Sequence, residues 1–178
     1  MRIIKLNEQS RANILADLLK RDPNNYSAYE GTVQEIVDDV RARGDEALFE
    51  YTKKFDGAEL SADNIRVTQA EIQEALSQVD PNLLAVMKKS MKNIREYHEK
   101  QKQYSWFDSK PNGTILGQKV TALSSVGVYV PGGKAAYPSS VLMNIIPAEV
   151  AGVEKIVMVT PPGKDGRVNP VTLIAAHL

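Results

Sequence analysis

Residues 124–159, SSVGVYVPGGKAAYPSSVLMNIIPAEVAGVEKIVMV, decide the fold. The run Val126–Val130 is rich in β-branched and aromatic residues and is cut off by Pro131-Gly132-Gly133, so it reads as a strand entering a glycine turn. After Pro138, Ser139 and Ser140 are placed to cap the first turn of an apolar helix over Val141–Val150, which Gly152 ends. Lys155–Val159 is a second β-branched run. Strand, glycine loop, helix and strand make one βαβ unit, which predicts a parallel sheet.

In an open α/β sheet, ligands sit beyond the carboxyl ends of the strands, here over Tyr129–Ser140. Glycines let backbone approach a ligand closely, and a helix start offers N–H groups to an anion such as a dinucleotide pyrophosphate. Gly132-Gly133-Lys134 fits neither G-x-G-x-x-G nor G-x-x-x-x-G-K-[ST], so spacing alone leaves an ordinary βα turn open.

Composition narrows the choice. A chain of 178 residues with 43% apolar content can build a core. No window approaches the ~18 uncharged apolar residues of a membrane span, and MRIIKLNEQSR lacks the order of a signal peptide, so a cytoplasmic protein is expected. Twenty-two basic and 22 acidic side chains cancel, which removes the electrostatic case for nucleic acid or an anionic membrane. With no cysteine and only His98 and His177, no zinc-ligand spacing or catalytic triad is readable.

Charge is spread unevenly, with 35 charged side chains in residues 1–108 and nine in residues 109–178. The first part is expected to be solvated helices, and the second a buried sheet with helices over both faces. Within the first part, Ile3 and Ile4 suggest a short arm, and Ile14, Leu15, Leu18 and Leu19 a helical stripe ending near Asp22-Pro23. Thr32 and Glu35 read as a capping box for a helix with Ile36, Val37 and Val40 buried and Gly44 as its stop. Asp45 is expected to cap the next helix, with Ala47, Leu48, Tyr51 and Phe55 on one face.

Ile65–Val67 is a strand candidate, and Thr68 with Glu71 a second capping box. Asp80-Pro81 opens a long helix whose inner face carries Leu83, Leu84, Met87, Met91, Ile94 and His98. On that face His98 reads as a hydrogen-bonded structural imidazole more readily than a metal ligand. Trp106 and Phe107 are expected to pin this helix to the next domain, Asn112-Gly113 to turn, and Gly117–Leu123 to form a strand. Pro147 predicts a kink or a restarted helix with Glu149 in its new first turn. Val171–Leu178 opens a helix without a stop signal, and one βαβ unit does not make a doubly wound sheet, so a truncated chain is expected.

VGVYVPGG, YPSSVLMNIIPAEVAGV and VMVTPP closely resemble the corresponding stretch of histidinol dehydrogenases. ARGDEAL (42–48), YTKKFDG (51–57), the NI-x-x-YH pattern (93–98) and GKDGRVNP (163–170) extend the likeness, in order, over nearly the whole chain. The resemblance implies a helical region over 1–108 and, over 109–178, the start of a doubly wound, Rossmann-like (aldehyde-dehydrogenase-like) parallel sheet that binds NAD. It further implies oxidation of L-histidinol to L-histidine through the aldehyde, with NAD and zinc, in a cytoplasmic homodimer. Tyr129 matches the family's NAD-binding tyrosine; Pro131, Gly132 and Gly133 would shape that wall, with Ser139 and Ser140 facing it. No zinc ligand or proton-transfer residue of the family can be placed on this chain. A noncatalytic α/β binding or dimerisation module, and another NAD-linked alcohol or aldehyde oxidoreductase, stand as alternatives.

Overall fold

The computed structural model describes residues 5, 7–12, 26–132 and 135–178. The expectations on Ile3, Ile4, Ile14, Leu15, Leu18, Leu19, Asp22-Pro23, Gly133 and Lys134 lie outside the described residues. The chain forms two compact units, Met1–Ala47 and Leu48–Leu178.

In the first unit, α1 spans Ser27–Arg43 and starts five residues before the expected Thr32, behind Tyr26, which offers no side-chain cap. The backbone ladder runs through Gly31 because one glycine costs a helix only about 1 kcal/mol. No residue of α1 is buried, so Ile36, Val37 and Val40 are not the core stripe that their spacing predicts. Gly44 ends the helix at φ 63°, donating its N–H to the Val40 carbonyl at 2.8 Å. Helix α2, Asp45–Phe55, begins at the end of this unit and continues into the second; it takes Asp45 as its first residue, where a carboxylate favours the positive helix start. Ala47 and Thr52 are buried, whereas Leu48 and Phe55 are exposed, so the predicted apolar face is only partly used.

In the second unit the expected strand at Ile65–Val67 is absent: these residues follow a turn in which Asn64 accepts the Ser61 N–H at 2.6 Å. Such local side-chain bonding competes with strand pairing. The Thr68–Glu71 capping box opens α3, Gln69–Gln78. Asp80 accepts the Asn82 N–H at 2.8 Å, and Pro81 takes the first position of α4, Pro81–Glu99. Met87 is buried and Leu84, Met91, Ile94 and His98 are half-buried, but Leu83 stays exposed.

Trp106 and Phe107 do not pin that helix. They lie exposed on β1, Trp106–Ser109, which pairs antiparallel with β2, Ile115–Gln118. The hairpin turns at Gly113, φ 84°, with the Asn112 side chain accepting the Thr114 N–H. The strand expected over Gly117–Leu123 therefore lies two residues earlier and stops at Gln118.

Strands β3, Ser125–Tyr129, and β4, Lys155–Val159, pair in parallel with Ser125 opposite Lys155 and Tyr129 opposite Val159. Between them α5 spans Pro138–Val150, and after them α6 spans Pro170–His177. Pro138 occupies the first helical position, so Ser139 and Ser140 fall inside the first turn and do not cap it. Helix α5 runs unbroken through Pro147, so Glu149 starts no new helix. It sits in the last turn instead, paired with Arg95 of α4.

Helix α4 packs on α5, α3 on α6, and α5 on α6. Val128 and Val130 join Val141, Ile146, Leu173 and Ile174 in one core cluster. Burial alternates along both strands, with Val126, Val128, Ile156 and Met158 turned to the helices and Gly127, Tyr129, Val157 and Val159 to the outside. Only one face of the β3–β4 pair is covered among the described residues, against the expectation of both.

Candidate functional site

The parallel register brings the carboxyl ends of β3 and β4 side by side, and the Val130 N–H extends the ladder to the Val159 carbonyl at 3.0 Å. Beyond this point the loops after both strands border an open cavity of about 510 Å³. Gly132, Ala135 and Ala136 line it from the β3 side, Thr160, Pro161 and Arg167 from the β4 side. Helix α3 closes a third side with Glu71 and Glu74.

Gly132 is where the two loops meet. A Cβ there would lie 2.9 Å from the Pro161 carbonyl oxygen and 3.1 Å from Thr160 Oγ1, closer than side-chain carbons pack. The loop after β4 is held by its own backbone: Gly163 N–H donates to the Arg167 carbonyl at 2.8 Å, and Gly166 N–H to the Gly163 carbonyl at 2.9 Å. Gly166 sits at φ 77°, and Asp165 Oδ1 accepts the Arg167 N–H at 3.1 Å. Asn169 then accepts the Val171 and Thr172 N–H groups and caps α6. One side chain ties the loop outward, since Arg167 Nη1 donates to Glu74 Oε1 and Oε2 at 2.9 and 3.0 Å.

The Glu71 carboxyl is held below its ordinary range, first by the Thr68 backbone N–H, then by the Thr68 hydroxyl, with a smaller contribution from Arg167. His98 Nδ1 lies 2.7 Å from Gln101 Oε1, with the Tyr97 ring edge-on at 5.2 Å, well away from this cavity. Among the described residues no three His, Cys, Asp or Glu side chains converge on a metal position.

The residues singled out from the sequence do not all gather here. Gly132 lines the cavity, and Pro131 is exposed beside it. Tyr129 ends β3 with its ring 63% exposed on the open sheet face. Ser139 and Ser140 lie in the first turn of α5, with Ser139 exposed and Ser140 half-buried, and neither lines the cavity. Thr160, Pro161 and Arg167 lie in the VMVTPP and GKDGRVNP stretches, and Pro161-Pro162-Gly163 reads as the loop after the second strand, but neither they nor Glu74 read as site residues. Applying the strand-end rule to β4 as well as β3 would have marked that loop as part of a site, but nothing local in the sequence pairs Arg167 with a residue 93 positions away.

The family model for histidinol dehydrogenase matches residues 19–178. The chain belongs to the histidinol dehydrogenase family. The Bacillus subtilis histidinol dehydrogenase is 60% identical over 145 residues, covering 82% of this chain and 34% of that protein. That of Heliobacterium mobile is 57% identical over 145 residues, with the same coverage. The crystal structure of histidinol dehydrogenase from Elizabethkingia anophelis superposes with a TM-score of 0.77 at 34% identity, covering 84% of this chain and 34% of that one. The chain thus spans about a third of the length of these relatives and corresponds to the amino-terminal portion of a histidinol dehydrogenase.

Proposed function

We propose that this chain contributes the amino-terminal part of an enzyme that oxidises L-histidinol to L-histidine through L-histidinaldehyde. NAD, when bound, accepts a hydride in each of the two oxidations. We infer that residues 109–178 open the NAD-binding domain and that residues 1–108 are the mainly helical region before it. The observation that supports this most directly is the cavity at the carboxyl end of β3 and β4, where Gly132 has no side chain to separate the two loops.

In this reading Tyr129 presents its ring to the cofactor, Pro131 and Gly132 shape the wall beside it, and Gly133, outside the described residues, is assigned to the same wall. Ser139 and Ser140, in the first turn of α5 and outside the cavity, would face the cofactor from there. The protein's task here is orientation: it fixes where the cofactor lies relative to a substrate held elsewhere in the enzyme. Among the described residues no set of His, Cys, Asp or Glu side chains converges to hold zinc. Its ligands and the proton acceptor belong to other parts of the full-length enzyme, which we take to be a cytoplasmic homodimer. No helix among the described residues is long and apolar enough to cross a membrane.

The test is a turnover assay on the full-length enzyme beside the 178-residue chain alone. Full-length enzyme should form two NADH per histidine from histidinol. The isolated chain should form none and keep no stoichiometric zinc after dialysis. Zinc retention together with histidinol-dependent NADH from the chain alone would sink this division of labour.

A further inference from the structure

We propose that Arg167 is a positioning residue for the cofactor wall, holding the loop after β4 against Gly132 by its bond to Glu74. The inference rests on the NAD-binding reading above and adds to it a residue outside the VYVPGG motif. Three contacts in series carry it. Arg167 grips both Glu74 oxygens on α3, and through its own N–H and carbonyl it closes the 163–167 turn onto Asp165 and Gly163. That turn follows directly from Thr160 and Pro161, which meet Gly132 at the close approach described above. Gly132 stands three residues beyond Tyr129. Moving the β4 loop therefore moves the surface on which the β3 turn rests.

Two other roles for Arg167 fit less well. As a phosphate ligand it would stand among carboxylates, with Glu74 bonded to it, Glu71 near enough to feel its charge and Asp165 on its own turn. As a stabilising ion pair it would contribute little, because the two side chains are 57% and 46% exposed and such pairs are screened by water. A geometric role predicts that cofactor binding and global stability separate.

In the full-length enzyme, Arg167→Ala and Glu74→Ala should each raise KM for NAD roughly three- to fivefold, within what an exposed ion pair can hold in place. KM for histidinol and kcat at saturating NAD should stay within about twofold, and the melting midpoint within about 4 °C. The double variant should be no worse than either single one, since both remove one contact. Arg167→Lys, which keeps the charge without the planar fork, should fall between, and it serves with Glu74→Gln if the alanine variants do not fold. Additive losses, or equal losses in kcat and in both KM values, would overturn the proposal. So would an unchanged NAD KM in Arg167→Ala where Tyr129→Ala raises it. If Tyr129→Ala also leaves NAD binding unchanged, the cofactor reading itself falls and takes this role with it.

Discussion

Tyr129 closes β3 on the open face of the sheet. The VYVPGG motif marks it by family likeness as a cofactor contact, whereas its place in a β-branched strand, taken alone, reads as a core aromatic. The structure removes the second option for this chain: the ring is 63% exposed, on the strand face opposite Val128 and away from the helices. Truncating it should open no cavity, so Tyr129→Ala should leave the melting temperature of the chain almost unchanged. In the full-length enzyme the same substitution should weaken NAD binding by about 1–3 kcal/mol, the scale of a lost aromatic packing contact. Isothermal calorimetry measures this, and unchanged affinity would leave Tyr129 without a cofactor role. From the sequence, Val126–Val130 reads as one apolar run of a sheet covered on both faces, and that only the Val126, Val128 and Val130 side is covered was not legible. That depends on helices far away in sequence.

Elements specified by neighbouring residues could be read directly, and those specified by distant contacts could not. The Thr68–Glu71 box is local: Thr68 Oγ1 accepts the Glu71 N–H, and Glu71 accepts the Thr68 N–H at 2.7 Å. Thr68→Ala should cost about 0.5–2 kcal/mol, measurable by denaturant melts. The same bonds give an acid signature. Because the folded Glu71 carboxyl lies below its ordinary value, its contribution is complete above the unfolded value of about 4.3 and is lost as pH falls through the lower folded one. Glu71→Gln should flatten that loss in melts between about pH 3 and 6, and an unchanged acid limb would show that other carboxylates govern it. Of the β1–β2 hairpin only the Asn112-Gly113 turn and a strand displaced to Gly117–Leu123 were legible, since all eight strand residues are exposed and carry no apolar alternation. The start of α1 behind Tyr26 was equally silent, because no side chain caps it. Serine at 139 and 140 pointed to a cap that Pro138 pre-empts.

At the scale of the whole molecule, the βαβ unit and its parallel pairing followed from the 124–159 pattern, while the expectation of two covered faces did not hold. The β3–β4 pair presents Tyr129, Val157 and Val159 on one open side, and each strand has one edge without a partner among the described residues. Exposed apolar sheet surface with free edges favours pairing with another copy. The 178-residue chain should therefore self-associate at high concentration, and Val157→Lys should shift it toward monomer in analytical ultracentrifugation. A wild-type chain that stays monomeric would argue against this. Gly127 gives the open side a particular relief. It lies between the exposed Ser125 and Tyr129 on the same face, and a Cβ placed on it would meet nothing within 4 Å. Layers on a sheet normally stand about 10 Å away, held off by side chains of both partners. Over Gly127 that spacer is missing, so whatever lies on β3 can descend onto bare backbone with the Tyr129 ring as a wall, and a leucine at 127 would lift it off again.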